Sequence, residues 1–550
     1  MIGRLVLSDR NIFKIKSGTK QVSARKCYVL SEPIDNVLIK TSKEFNPKDE
    51  YIKFDPETNT IIQSYGSVGN LKSDLEIYFH MYTLNWMSES KYSKLWDLYL
   101  YNKQGELTDF DLVKNIRPDN LGINRVLYSN QVITIDPINS IDLDDGFSFN
   151  SDSLHYWLDI HIADPVSWFD LTNPVCKEIF KEIYTRQQSC YISQLNVDSH
   201  GNPINKPTHL LPPKVVQIIS LLELNNFGNQ NQTKSRRAIS FCFKISKQTK
   251  SLEHFELKFT NLTNIKNYSY ETYDQEINNQ NNIGIKSELV GLSNIIINII
   301  GLGATRGFEP ISINMDISHK MIEIFMILTN WYGGNYLINN IGWNKTILRT
   351  QMASEFDDLF DITKVPEWAR VILSKSANYK FADFETNAGG ENLNAHYSLG
   401  ITNYSHVSSP MRRFVDMLNH LGLYCIEPSA FLQDDFNPWN LEYINKTVKN
   451  QKKISNGYDL LYLIKKTNSI KFKACLFDYL ELPNGRGIKS TLVLSKDFSP
   501  NFIRVINVEL PETELTCLDK ISKYMEFDIE LYYNPNNFKS SKFPFSIKIV

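Results

Sequence analysis

Four aspartates within ten residues, Asp136, Asp142, Asp144 and Asp145, constrain this chain more than any other feature. Carboxylates held so close repel one another strongly unless a divalent cation neutralises them, which makes the segment a candidate metal site. Val132-Ile133-Thr134-Ile135 reads as a buried strand, and Gly146-Phe147-Ser148-Phe149 resumes alternation, which puts the aspartates at a strand end and in the loop after it. Loops of that kind are where a rigid scaffold displays catalytic groups. Hard oxygen ligands, with no cysteine neighbour and no paired histidines, favour magnesium or manganese over zinc. An EF-hand fails on spacing, because counting from Asp142 puts glycine at the fifth position and Ser153 at the twelfth. Taken alone, the segment also reads as a solvated acidic loop.

The chain of 550 residues has room for roughly three to four domains. Its net charge is only -2, but residues 1–30 sum to +6 and residues 441–550 to +5, leaving -13 between them. Basic ends around an acidic, metal-binding middle suit a polyanion held by peripheral modules, although solvated charge on unrelated surfaces gives the same sums. Seven cysteines (Cys27, Cys176, Cys190, Cys242, Cys425, Cys475, Cys517) form no C-x-x-C pair. They read as reduced thiols of an intracellular protein, with the cytoplasm as the expected compartment. No secretory signal pattern is present, and the apolar run Ile295 to Gly301 is too short to span a bilayer, so no membrane is expected. The basic start leaves an organelle destination open, although Arg4-Leu5-Val6-Leu7 and Cys27-Tyr28-Val29-Leu30 read as strands rather than a targeting helix.

Strand-like runs at Gly3 to Leu7, Ile12 to Ile15, Gln21 to Leu30, Asn36 to Ile39, Tyr51 to Phe54 and Thr60 to Tyr65 predict a small OB-type barrel over residues 1–70. A helical pattern from Ser73 to Lys103 and a loop near Asn115 to Asn124 predict a linker over 71–118. A mixed α/β domain is expected over 119–465, with helices at Ser287 to Ile300, His319 to Trp331 and Pro410 to Leu423 and a trailing helix at Leu441 to Leu463. Asn- and Gln-rich stretches at 225–232 and 278–282 read as surface insertions. Strands resume over 466–550 and predict a second OB-like barrel. The fold class is therefore α+β and multidomain.

A second constellation is Tyr404-Ser405-His406-Val407-Ser408-Ser409-Pro410-Met411-Arg412-Arg413-Phe414-Val415-Asp416, with His420 four residues on. Serine followed by proline predicts a helix start at Pro410. Two arginines in a first helical turn sit unfavourably against the helix dipole unless an anion binds there, and Arg412, Asp416 and His420 would share one face. The plainer reading pairs Arg413 with Asp416 on a surface.

Together these motifs resemble the RNB catalytic domain of the ribonuclease II and ribonuclease R family. The aspartates match its D-P-x-x-x-x-D-x-D-D, and the distal segment matches Y-x-H-x-x-S-P-x-R-R-[YF]-x-D-x-x-x-H. Shorter matches follow in order: Ile160 to Asp164, Arg186 with Ser189-Cys190-Tyr191, Leu210-Leu211-Pro212, Arg237 to Ser240, and Ile322 to Met326 with Asn330. Departures are Pro165, Leu221 in place of a common serine, Leu421 in place of arginine, and Gln187-Gln188 where the family usually has Gly and Thr.

The resemblance implies a hydrolytic exoribonuclease that shortens single-stranded RNA from the 3′ end to nucleoside 5′-monophosphates. It implies Mg2+, with Mn2+ as an alternative, held by Asp136, Asp142 and Asp145 in a two-metal mechanism. Asp144 matches the family's essential aspartate, Arg412 would offset charge on the scissile phosphate, and Tyr191 would clamp the terminal nucleotide by stacking. Arg413 and Ser409 are expected to bind substrate. The barrels would be a cold-shock-type module and an S1-type module that grip RNA, on a monomer whose helicase or complex partner is unspecified. Two other readings keep the same motifs: an RNB-type RNA-binding or scaffolding protein with reduced catalysis, and a metal phosphoesterase acting on DNA.

Overall fold

Polar turns between short strands let the amino-terminal end close on itself. The computed structural model describes residues 1–30, 36–83, 85–108, 124–170, 172–190, 209–223, 235–302, 310–352, 365–366, 368–369, 377–383, 392–426, 437–483, 487–495, 503–515, 522–534 and 545–550. All six expected strands form: β1 (Ile2–Leu5), β2 (Phe13–Ser17), β3 (Lys20–Val29), β4 (Asn36–Lys40), β5 (Glu50–Asp55) and β6 (Thr60–Ser67). The ring runs β1-β3-β4-β6-β5 and returns to β1, closed by one parallel bridge between Lys40 and Thr60, the connectivity of an OB barrel. Inward residues such as Leu5, Cys27, Ile39, Ile52 and Phe54 fill it.

The helical pattern from Ser73 to Lys103 resolves into two helices, α1 (Leu71–His80) capped by Asn70 and α2 (Glu89–Leu100) capped by Ser88. The pattern breaks because Ser88 starts a new helix and because residues before it turn inward around Arg186. That guanidinium donates to Met87 O at 3.0 Å and lies 5.2 Å from the Trp86 ring. Loop residues 115–123 lie outside the described residues.

A seven-stranded mixed sheet forms the middle of the molecule. Its strands are β7 (Val126–Tyr128), β8 (Val132–Asp136), β9 (Asp145–Ser151), β10 (His155–Ala163), β11 (Arg236–Ser246), β12 (Leu252–Leu262) and β13 (Ile265–Ser269), in the order β13-β8-β9-β10-β11-β12-β7. Around it lie α3 (Pro174–Arg186), α4 (Pro213–Ile219), α5 (Tyr270–Ile277), α6 (Ile283–Ile300) and α7 (Ser318–Ile341). Phe147, Leu158, Ile160 and Phe241 of the sheet pack with Ile296 of α6 and Phe325 and Leu328 of α7 in one apolar core. The helical stretch Gln280–Ile300 is long and apolar enough, by length and composition, to cross a membrane, which the short run read from sequence did not suggest; half of it is buried inside the fold. Of the polar insertions, 278–282 is largely exposed, while 225–232 lies outside the described residues.

Beyond α7 come β14 (Ile347–Thr350), β15 (Asn378–Phe381), β16 (Ala395–His396), β17 (Ile401–Thr402), α8 (Phe414–Leu423) and the long α9 (Leu441–Thr467). The five expected strands of the second barrel follow as β18 (Ser469–Glu481), β19 (Gly487–Ser495), β20 (Ile503–Pro511), β21 (Glu526–Tyr533) and β22 (Phe545–Ile549), ordered β20-β19-β18-β21-β22. That is again an OB order. α9 ties the parts together: Tyr78 of α1 donates to Lys453 O at 3.0 Å, and Lys465 meets Asp74 at 3.3 Å and the Tyr533 ring at 3.9 Å.

Candidate active site

The aspartates converge because β8 and β9 approach closely at their paired ends. A Cβ on Gly146 would meet Val132 Cγ1 at 2.9 Å and Ile133 O at 3.0 Å, so a side chain there would force the strands apart. Asp136 ends β8, Asp145 starts β9, and the register pairs Asp136 with Ser269 of β13. Asp144 is buried, its main chain held by Ala163 N at 2.7 Å. Its Oδ1 accepts from Met411 N at 2.8 Å and its Oδ2 from Arg412 Nε at 3.1 Å. The two sequence constellations thus meet at one carboxylate.

Burial and mutual repulsion govern the charges. Burial first, then Asp145, Asp144 and Asp142, push the Asp136 carboxyl up to about 8. Burial raises Asp145 to about 6 against the pull of Arg412 and Arg413, and raises Asp144 well above the usual carboxylate range despite Arg412. Asp142 lies 3.9 Å from His209 Nδ1.

The opposite wall is the segment 404–413, seated on α7. Asn330 Oδ1 accepts from Val407 N at 2.8 Å and Ser408 N at 3.2 Å, while its amide donates to Tyr404 OH at 3.1 Å. Gly334 makes room for that seat, since a Cβ there would fall 2.0 Å from Asn403 O. The helix expected from Pro410 begins instead at Phe414, with Arg413 extended at φ -136 and ψ 124. The reason is local. Ser409 Oγ accepts from Arg412 Nη2 at 2.9 Å rather than capping a helix, and the Arg413 backbone bridges to Gln188. The arginines therefore precede the helix dipole instead of opposing it, and Arg412 does not share a helical face with Asp416 and His420. Arg413 is the partner of Asp416, with Nε 2.9 Å from Oδ2 and Nη2 donating to Oδ1 at 2.9 Å, as in the plainer sequence reading, but with Asp416 buried and Arg413 half-buried rather than on a surface. Asp416 also accepts from Ser409 N at 2.7 Å. Ser409 and Arg413 thus brace Arg412 from behind.

The donors at the site decide whether a divalent cation fits. Asp136 Oδ2 is buried without a hydrogen-bond partner among the described residues, and three further acids crowd it. Such a set fits a hard cation. Among the described residues no three His, Cys, Asp or Glu side chains already form a ready-made metal cage. Tyr191 lies outside the described residues. Tyr270 was missed from the sequence: it follows Ser269 next to Asp136, and burial with the charges of Asp145 and Asp136 pushes its phenol up to about 12. Its ring stacks on His319 at 3.7 Å. No local signal marks it, because the β8–β13 pairing that places it joins strands 133 residues apart.

A four-aspartate loop facing an arginine turn, on a mixed sheet between two OB-type barrels, defines the class of protein. The family model of the RNB domain matches residues 125–427, more than half of the chain, and the chain belongs to that family. It is 26% identical over 401 residues to the mitochondrial exoribonuclease II of Saccharomyces cerevisiae, a match covering 62% of this chain and 38% of that protein, so the chain spans well under half of that relative's length. Mycoplasma genitalium RNase R in complex with ribose methylated single-stranded RNA shares the fold, with a TM-score of 0.60, 14% identity and coverage of 100% of this chain and 89% of that one. Yeast Ssd1, described as a pseudonuclease, does so with a TM-score of 0.56, 13% identity and coverage of 97% and 67%.

Proposed function

We propose that the chain is a hydrolytic 3′-to-5′ exoribonuclease acting on single-stranded RNA. The observation that carries the reading is the meeting of Asp144 with Met411 N–H and Arg412 beside three further aspartates. The names of the yeast relative and of the RNase R complex supply exonuclease chemistry and RNA as substrate class. Asp136, Asp142 and Asp145 would hold Mg2+ or Mn2+, which would supply neutralising charge and a more acidic water. Arg412, a permanently charged fork with its side chain partly open to solvent, offsets charge on the scissile phosphate. Asp144 holds that fork on its reactive side. The water oxygen bonds to phosphorus, the bond to the upstream 3′ oxygen breaks, and that oxygen takes a proton as the new RNA end. The released product is a nucleoside 5′-monophosphate. Tyr191 stacks on the terminal base, a contact that tolerates any sequence.

In this proposal residues 1–70 and 466–550 are RNA-gripping barrels, 71–118 a linker and 119–465 the catalytic unit, working as a monomer. Binding then weakens as salt rises. A 5′-labelled single-stranded RNA incubated with the chain and magnesium yields a short end product and free mononucleotides, while the matched DNA persists. Binding without shortening in either magnesium or manganese marks a pseudonuclease and overturns the proposal. A mitochondrial destination, which the name of the yeast relative suggests, is checked by fractionating cells that express the tagged chain.

A further inference from the structure

Residue 187 carries an unusual backbone. α3 ends there with Gln187 at φ 64 and ψ -44, and Gln188 N donates back to Arg186 O at 2.8 Å, which makes a γ-turn of the rare positive-φ kind. A non-glycine residue persists in such a turn only where its surroundings over-determine it. Here they do. Phe414 N donates to Gln187 O at 2.7 Å and Ser189 N to Arg412 O at 2.9 Å, so the turn is zipped to the backbone on both sides of Arg413.

The third support comes from far along the chain. Gln451 of α9 is buried, and its amide donates to Arg186 O and, at 3.1 Å, to Gln188 O, the two carbonyls that bracket the turn. Two turns earlier on the same helix Tyr443 stacks on Tyr184 with ring centroids 4.7 Å apart and donates to Thr185 O at 3.3 Å. α9 also packs against α1 and both barrels through Leu460, Leu461, Ile464 and Lys465.

We propose that Gln451 is a positioning residue for Arg412: by clamping the Gln187 turn it fixes the backbone strand that aims the guanidinium at Asp144, and so links the barrel-bearing helix to the site. The inference rests on the exoribonuclease reading for its kinetic form. Gln451→Met keeps the volume and removes the donor. It lowers kcat about tenfold and leaves KM within about twofold, since the clamp acts behind the site rather than on RNA. Gln451→Glu, which turns an acceptor toward two carbonyls, loses more. In an Arg412→Lys background Gln451→Met costs less than about twofold, because a flexible point charge depends less on backbone aim than a fork does. An undiminished tenfold loss in that background, or an unchanged kcat in the single variant, overturns the proposal. A wild-type chain that never shortens RNA refutes the exoribonuclease reading instead. Hydrogen exchange then tests the clamp alone: the Ser189 and Phe414 amides exchange about tenfold faster in Gln451→Met, and unchanged rates overturn it.

Discussion

Adjacent arginines make two pairs that look alike and do different work. Asp144 and Asp416 are both buried, both accept a backbone N–H (Met411 at 2.8 Å, Ser409 at 2.7 Å) and both meet a guanidinium. The difference lies in what surrounds them. Arg412 leaves 45% of its side chain exposed, and its aspartate sits among other acids that one arginine does not neutralise. Arg413 is 19% exposed, is matched by Asp416 and backs onto His406 at 3.5 Å. A charge left over at a solvent-facing spot is available for a ligand, whereas a matched and enclosed pair is a brace. Type of contact alone does not distinguish function from structure; the local balance of charge does.

Substitutions separate the two pairs. Asp144→Asn lowers turnover by more than about 10³-fold in a single-turnover RNA assay, while the urea midpoint holds or rises because one crowded charge is gone. Asp416→Ala does the reverse: urea unfolding shows a loss of about 3–5 kcal/mol, since Arg413 stays enclosed without its partner. Arg412→Ala lowers kcat about 10²-fold and changes stability by less than about 1 kcal/mol, as fits an arginine whose side chain is 45% exposed and whose carboxylate partner is held near neutral by burial. If Arg412→Ala unfolds the chain as readily as Asp416→Ala, the contrast between the pairs fails.

Two smaller effects sharpen it on the brace side. Gln187→Gly relieves the positive φ and raises the unfolding free energy read from urea curves by about 1 kcal/mol, and a fall would show the turn to be unstrained. Acid gives the last effect. Burial, then Arg413 and Arg349, hold the His406 imidazole well below its ordinary value. The unfolded chain therefore takes up a proton below about pH 6.5 that the folded chain refuses, and stability falls as the pH drops from there. Urea midpoints measured between pH 7 and pH 5 fall less steeply in His406→Gln.

Much was legible without coordinates. Eleven strands of the two barrels follow from alternating runs bounded by turn residues, and each forms where expected. The aspartate loop lies at a strand end, as its flanks require. The break between the two linker helices and the start of α8 were not legible, because local periodicity does not report Arg186 drawing Met87 inward or Gln188 holding Arg413 extended. Tyr191 lies outside the described residues, so its reading still rests on its match to the family motif.

The amino-acid sequence by itself determined the barrels, the acidic loop and the arginine turn, since each depends on residues near one another in the chain. Tertiary structure alone decided that Met411 and Arg412 meet Asp144 across 267 and 268 residues, and that Gln451 reaches Gln188 across 263. It also decided which arginine is left facing solvent. Those outcomes depend on burial and on the sum of charges at a point in space, quantities that have no value until distant segments pack together.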